Sequence, residues 1–100
     1  MAETLPIIYS PRSLADAVII KNFILSKFTQ REVDNFYKML ASFEKVVTTF
    51  PHLYPKISSS RNVRRAVLSK QLSVFYNVSN SEISIAAILD NRMDIAKWPK

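Results

Sequence analysis

Apolar positions along this chain recur first at helical and then at strand spacing. Leu5 to Tyr9 is a short extended run, and Ser10-Pro11 then places a serine at the cap and a proline at the first position of a helix. That helix is expected to reach about Lys27. Its residues Leu14, Ala17, Val18, Ile20, Ile24 and Phe28 recur at three and four, while Ile19, Phe23 and Leu25 widen the stripe beyond one seam. Contact on two sides follows. Thr29-Gln30-Arg31-Glu32 has the form of a capping box, with Phe28 placed to staple onto Val33. Val33, Phe36, Leu40, Phe43, Val47 and Phe50 continue as the narrow seam of one partner in an antiparallel helical hairpin, and Pro51 ends it.

From Pro51 to Asn62 the composition is that of a loop, with two prolines and Ser58-Ser59-Ser60. Beyond it the period becomes two. Val63 to Lys70, Leu72 to Val78 and Glu82 to Leu89 read as strands, with Leu72, Val74, Tyr76 and Val78 on one face and Ile83, Ile85, Ala87 and Leu89 alternating against Ser84, Ala86 and Ile88. Turns at Lys70-Gln71 and Ser79-Asn80 make a meander. The chain is therefore expected to be α+β: a strand, a two-helix hairpin, then a three-stranded antiparallel meander, in one sheet backed by the hairpin. Phe75 and Ile88, out of phase with the stronger apolar set, give the second sheet face a partly apolar character suited to an added segment. Successive strand residues point oppositely, so Arg64 and Arg65 are expected on different faces.

One hundred residues, 48% of them hydrophobic, suit one domain spanning 1–100 with a core of its own. There is no cysteine, hence no disulfide framework, thiolate metal site or cysteine nucleophile. There is also no glycine, so phosphate loops that need a bare backbone are excluded, and any positive φ is expected at Asn62, Asn77, Asn80 or Asn91. His52, the only histidine, lies beside Pro51 at the end of a helical pattern and reads as a loop residue with no catalytic role. No apolar run approaches the length that spans a bilayer, and the first residues do not resemble a signal peptide, so a cytoplasmic protein without membrane partner, metal or small-molecule cofactor is expected.

Charge is uneven. Residues 1–55 carry 6 basic and 5 acidic groups, residues 56–100 carry 8 and 3, and the chain is +6 overall. Lys56, Arg61, Arg64, Arg65 and Lys70 follow one another with no acid between them, a density suited to phosphate or to an acidic partner, or simply to a solvated basic face. A macromolecular partner engaged by the whole basic tract is expected to find these cations gathered on one exposed patch.

In order and spacing these segments resemble the RelE/ParE superfamily of bacterial toxins from type II toxin-antitoxin pairs. The resemblance spans nearly the whole chain: Ile8-Tyr9-Ser10-Pro11 with Asp16, Ile20, Phe23 and Ile24; Val33, Phe36, Leu40 and Phe50-Pro51; Asn62-Val63-Arg64-Arg65; Val74 to Val78; Ile83-Ser84-Ile85; and Ile88 to Arg92. It implies a growth-inhibiting toxin neutralised by a cognate antitoxin, with DNA gyrase as target in the ParE branch or ribosome-bound mRNA in the RelE branch. RelE-type cleavage uses basic side chains to stabilise phosphate charge, and Arg64 and Arg92 fall at such positions, with Arg65 beside them. Ser73, Ala66 and Trp98, however, stand where that branch carries an arginine, a lysine and a tyrosine. Arg64-Arg65 and Arg92-Met93-Asp94-Ile95 look more like ParE-type sequences. The residues implicated in binding target or antitoxin are Arg61, Arg64, Arg65, Lys70, Arg92 and Trp98; a basic binding module without toxic activity would keep the same fold. Arg92 could instead pair with Asp90 or Asp94, and Tyr76 fits core packing better than catalysis.

Overall fold

Ser10 starts the first helix as its sequence implies: its hydroxyl accepts the Ser13 amide at 3.0 Å, and Pro11 fills the first turn, where its missing N–H costs nothing. The computed structural model describes residues 4–57 and 62–93. Its elements are β1 (Ile7–Tyr9), α1 (Pro11–Lys27), α2 (Gln30–Thr49), β2 (Val63–Val67), β3 (Leu72–Val78) and β4 (Ile83–Asp90). The strands form one sheet in the order β1-β4-β3-β2, β1 running parallel to β4 and the other pairs antiparallel. The α+β arrangement expected from the apolar periods is thus the one observed.

Helix α2 starts without the side-chain capping bond. The Glu32 amide that a capping box would give to the Thr29 hydroxyl is taken at 3.0 Å by the Thr29 carbonyl. Glu32 still favours the start of the helix by lying in its first turn, where the helix dipole is positive. Val33, Phe36, Leu40, Phe43 and Val47 are buried as one seam, while Phe50, just past the last turn, is 61% exposed. The seam packs with Ile20 and Ile24 of α1 over Ala66, Leu72, Val74, Tyr76, Ile83, Ile85 and Ile88 of the sheet. At about 1.5–3 kcal/mol for each fully buried large side chain, this layer is what holds the hairpin to the sheet.

Strand β4 departs from simple alternation. Phe75 pairs with Ala87 but Tyr76 pairs with Ile85, so Ala86 is an extra residue, a bulge that reverses the phase of everything after it. Ile88 and Asp90 consequently turn into the covered side, and Ile88 is not on the second face as the uninterrupted period implied. Two groups of the α1 region serve the bulged backbone: the Ser10 hydroxyl donates to the Ala86 carbonyl at 3.1 Å, and an Asp16 carboxylate oxygen accepts the Ile88 amide at 3.0 Å. Strand β2 ends at Val67, short of the expected Lys70, because the Leu68 and Ser69 amides both turn to the Leu72 carbonyl.

The described turns form without left-handed backbone. No described residue has positive φ, and Asn77 lies within β3 rather than in a turn. The Ser79–Glu82 turn is held instead by side chain and backbone together, the Ser79 hydroxyl accepting the Ser81 and Glu82 amides at 3.2 and 3.1 Å. No described helix is long and apolar enough to cross a membrane.

Candidate partner-binding face

Strand β2 carries its two arginines to opposite sides of the sheet, as its period demands. Arg64 pairs across the strands with buried Tyr76 and therefore sits on the helix side. There its Nη1 donates to the carbonyls of Tyr54 at 2.8 Å and His52 at 3.4 Å. Tyr76 donates its hydroxyl to the Pro51 carbonyl at 2.9 Å, and its ring meets Phe43 and Tyr54 at centroid distances of 5.6 and 6.2 Å. Burial pushes the Tyr76 phenol up to about 12, only partly offset by the Arg64 charge. These two side chains hold the turn that follows α2. His52 contributes a backbone carbonyl to that turn.

Arg65 faces the side that neither helix covers. Its directly opposite neighbour is Phe75, with the guanidinium carbon 5.7 Å from the ring centroid, and its diagonal neighbour Ser73 accepts both Nε and Nη2 at 3.3 Å. Two of the five guanidinium N–H groups are thereby held, and the other three have no acceptor among the described residues, on a plane fixed from two directions. Around it lie Val67, 58% exposed, with half-buried Val63, Ala87 and Leu89 from the neighbouring strand positions. Asn77, further along the same face of β3, has a buried Oδ1 with no hydrogen-bond partner among the described residues. The open face thus presents one braced cation in a half-apolar setting.

Arg92 belongs to neither arrangement. Its Nε and Nη2 reach the two oxygens of Asp90 at 3.0 and 2.7 Å, its backbone amide adds a third bond at 2.9 Å, and its guanidinium lies 5.1 Å from the ring centroid of Phe28. Asp90 is fully buried, so this pair exists to neutralise it. Hydrogen bonding to Asp90 holds the Arg92 proton more tightly than usual, against the opposing effect of burial. Phe28, the residue expected to staple onto Val33, receives this cation on its ring. Lys70 is exposed at the β2–β3 turn, where its carbonyl accepts the Asn91 side-chain amide at 3.0 Å. Arg61 and Trp98 lie outside the described residues.

The expected gathering of cations on one exposed patch is therefore not found for Arg64, Arg65 and Arg92: one stabilises a turn, one stands on the open face, one neutralises a buried acid, so a contact through this region rests on Arg65 and not on the tract as a whole. The pairing of Arg92 with Asp90 is one the sequence offered, whereas the partners of Arg64 and Arg65 were not evident in the linear pattern. Ser73, read there as a departure from an arginine position, is the brace of Arg65, which the diagonal spacing on adjacent strands reveals once the register is known.

No family model and no curated relative matches the sequence. Solved structures do. A chain of the chromosomal ParDE toxin-antitoxin system from P. aeruginosa superposes with a TM-score of 0.72 at 16% identity, covering 87% of this chain and 96% of that one. A chain of the E. coli DinJ-YafQ toxin-antitoxin complex gives 0.64 at 13% identity, covering 96% and 99%. A second structure of that complex gives 0.54 at 14% identity, covering 95% and 99%. The fold of this chain, from its strand and helical hairpin to the meander that closes the sheet, is that of the ParE and YafQ toxins.

Proposed function

We propose that this chain is the toxin of a type II toxin-antitoxin pair, acting in the bacterial cytoplasm, restrained by a cognate antitoxin and directed in the ParE manner at DNA gyrase. The observation that carries the choice is the braced Arg65 on a half-apolar sheet face that neither helix covers. A guanidinium already fixed by Ser73 and Phe75 loses little freedom when it meets a carboxylate or phosphate, and the aliphatic groups beside it supply area that excludes water. Arginine and aromatic pairs of this type suit the centre of a protein interface.

RNA cleavage makes different demands. The phosphorane needs converging cations and a group that moves a proton from the 2′-hydroxyl. Here Arg64 and Arg92 are committed to carbonyls and to Asp90, and Arg65 stands apart from both. Tyr76 is buried on the other side of the sheet with its proton retained to about 12. Contact with a protein target fits this geometry better than catalysis.

The test is a supercoiling assay with purified gyrase and purified chain. Supercoiling should fall and cleaved DNA complexes accumulate, with Arg65→Ala losing most of the effect while remaining folded. Unchanged supercoiling at high molar excess overturns the gyrase assignment, and new mRNA ends after induction would put the RelE manner in its place.

A further inference from the structure

Helix α1 has an apolar stripe that nothing in the described chain covers. Leu14, Val18 and Leu25 are 55%, 52% and 48% exposed, and together with half-buried Lys21 they follow one another at spacings of four, three and four on a single helix face. That is a short heptad-type seam about 16 Å long, interrupted by one cation. The buried residues Ser13, Ile20 and Ile24 face elsewhere, so the seam contributes nothing to the core.

The spacing is symmetric. Leu14 and Leu25 have the same midpoint in the helix as Val18 and Lys21, a point between Ile19 and Ile20. Two such helices laid antiparallel about that point match each leucine with the other leucine and each valine with the lysine. A two-fold interface requires self-complementarity of this kind.

The neighbouring groove supplies the missing charge. An open groove of about 270 Å³ runs beside the seam between α1 and α2, with Ala17 and Ala41 in its lining, and Leu14, Tyr37, Tyr9 and Glu44 around them. Glu44 accepts the Tyr9 hydroxyl and has no cation within ion-pair distance among the described residues. Lys21 likewise has no acid within that distance among them. In the antiparallel match, Leu25 of a second copy lies over Leu14 at the edge of this groove, and that copy's Lys21, one helical turn away, is brought toward Glu44. The two-fold axis makes the pair twice.

From these features we infer that the α1 seam and the adjoining groove form a homodimer interface, with α1 of a second copy as occupant and reciprocal Lys21–Glu44 pairs fixing its direction. This surface is separate from the Arg65 face, and its test does not depend on the toxin reading. A seam of this length falls at the small end of specific interfaces, so association in the micromolar range is expected.

Sedimentation velocity on the full chain, from about 1 to about 200 μM, should show the mass rising from one copy to two. Val18→Asp, at an exposed position, should abolish the rise. Lys21→Glu and Glu44→Lys should each weaken association about tenfold or more, and the two together should restore it, with circular dichroism confirming the same fold throughout. A chain that stays monomeric across the range overturns the inference. So does a folded double variant that fails to recover association. A monomer whose Val18→Asp form loses a co-purified antitoxin would also overturn it, and would assign the seam to that partner.

Discussion

The two faces of the sheet differ in what they do with the same residue type. On the covered face Arg64 spends its guanidinium on the carbonyls of Tyr54 and His52, and Tyr76 beneath it is fully buried and bonded to Pro51. On the open face Arg65, the next residue, is held by Ser73 and Phe75 and keeps three N–H groups without a partner among the described residues. One side converts charge into internal structure; the other fixes a charge in place and leaves it accessible. A basic sequence tract is therefore a poor guide to a basic surface. What decides is the strand period, which separates adjacent residues, and the polar partners that register brings to each.

Core truncation should separate the faces most. Phe43→Ala removes a buried ring from the aromatic group with Tyr54 and Tyr76 and should destabilise by about 3–5 kcal/mol, whereas Phe75→Ala on the open face should cost about 1 kcal/mol. Urea unfolding of both variants measures the difference. Similar losses would mean that the open face is packed after all.

Alkaline unfolding should come next. Tyr76 titrates near 12 when folded and near 10 when unfolded, so the folded state keeps the proton that the unfolded chain has already lost. Its contribution is complete below about pH 10 and disappears as pH rises through about 12, a loss of about 3 kcal/mol. Tyr9, pushed up by burial and by its bond to Glu44, acts with the same sign. Tyr76→Phe should flatten this slope, and an unchanged slope would remove Tyr76 from the account.

The smallest difference lies between the arginines themselves. Arg64→Ala leaves two turn carbonyls without their donor and should cost about 1–2 kcal/mol, while Arg65→Ala should stay within about 0.5 kcal/mol. Thermal melts of the two variants suffice. Reversed magnitudes would exchange the roles assigned to the two faces.

Much of the fold was legible in one dimension because it rests on local signals. Ser10-Pro11 starts α1, the seam from Val33 to Val47 fixes the buried side of α2, and the alternation from Leu72 to Tyr76 is that of β3. The bulge at Ala86 was not legible, since it is supported by Ser10 and Asp16 from a different part of the chain. The same holds for the site. Opposite placement of Arg64 and Arg65 follows from strand period alone, and the nearness of Asp90 to Arg92 was open to reading, but the roles of Ser73 and Phe75 depend on register, which one-dimensional spacing does not carry. The capping box fails for a local reason, its key amide having found a backbone acceptor first.

Growth after induction of the wild-type chain and of Arg65→Ala, at equal levels of folded protein, tests the assignment of function to the open face most directly. The account predicts arrest by the wild type and near-normal growth with the variant. Equal arrest by both would contradict it.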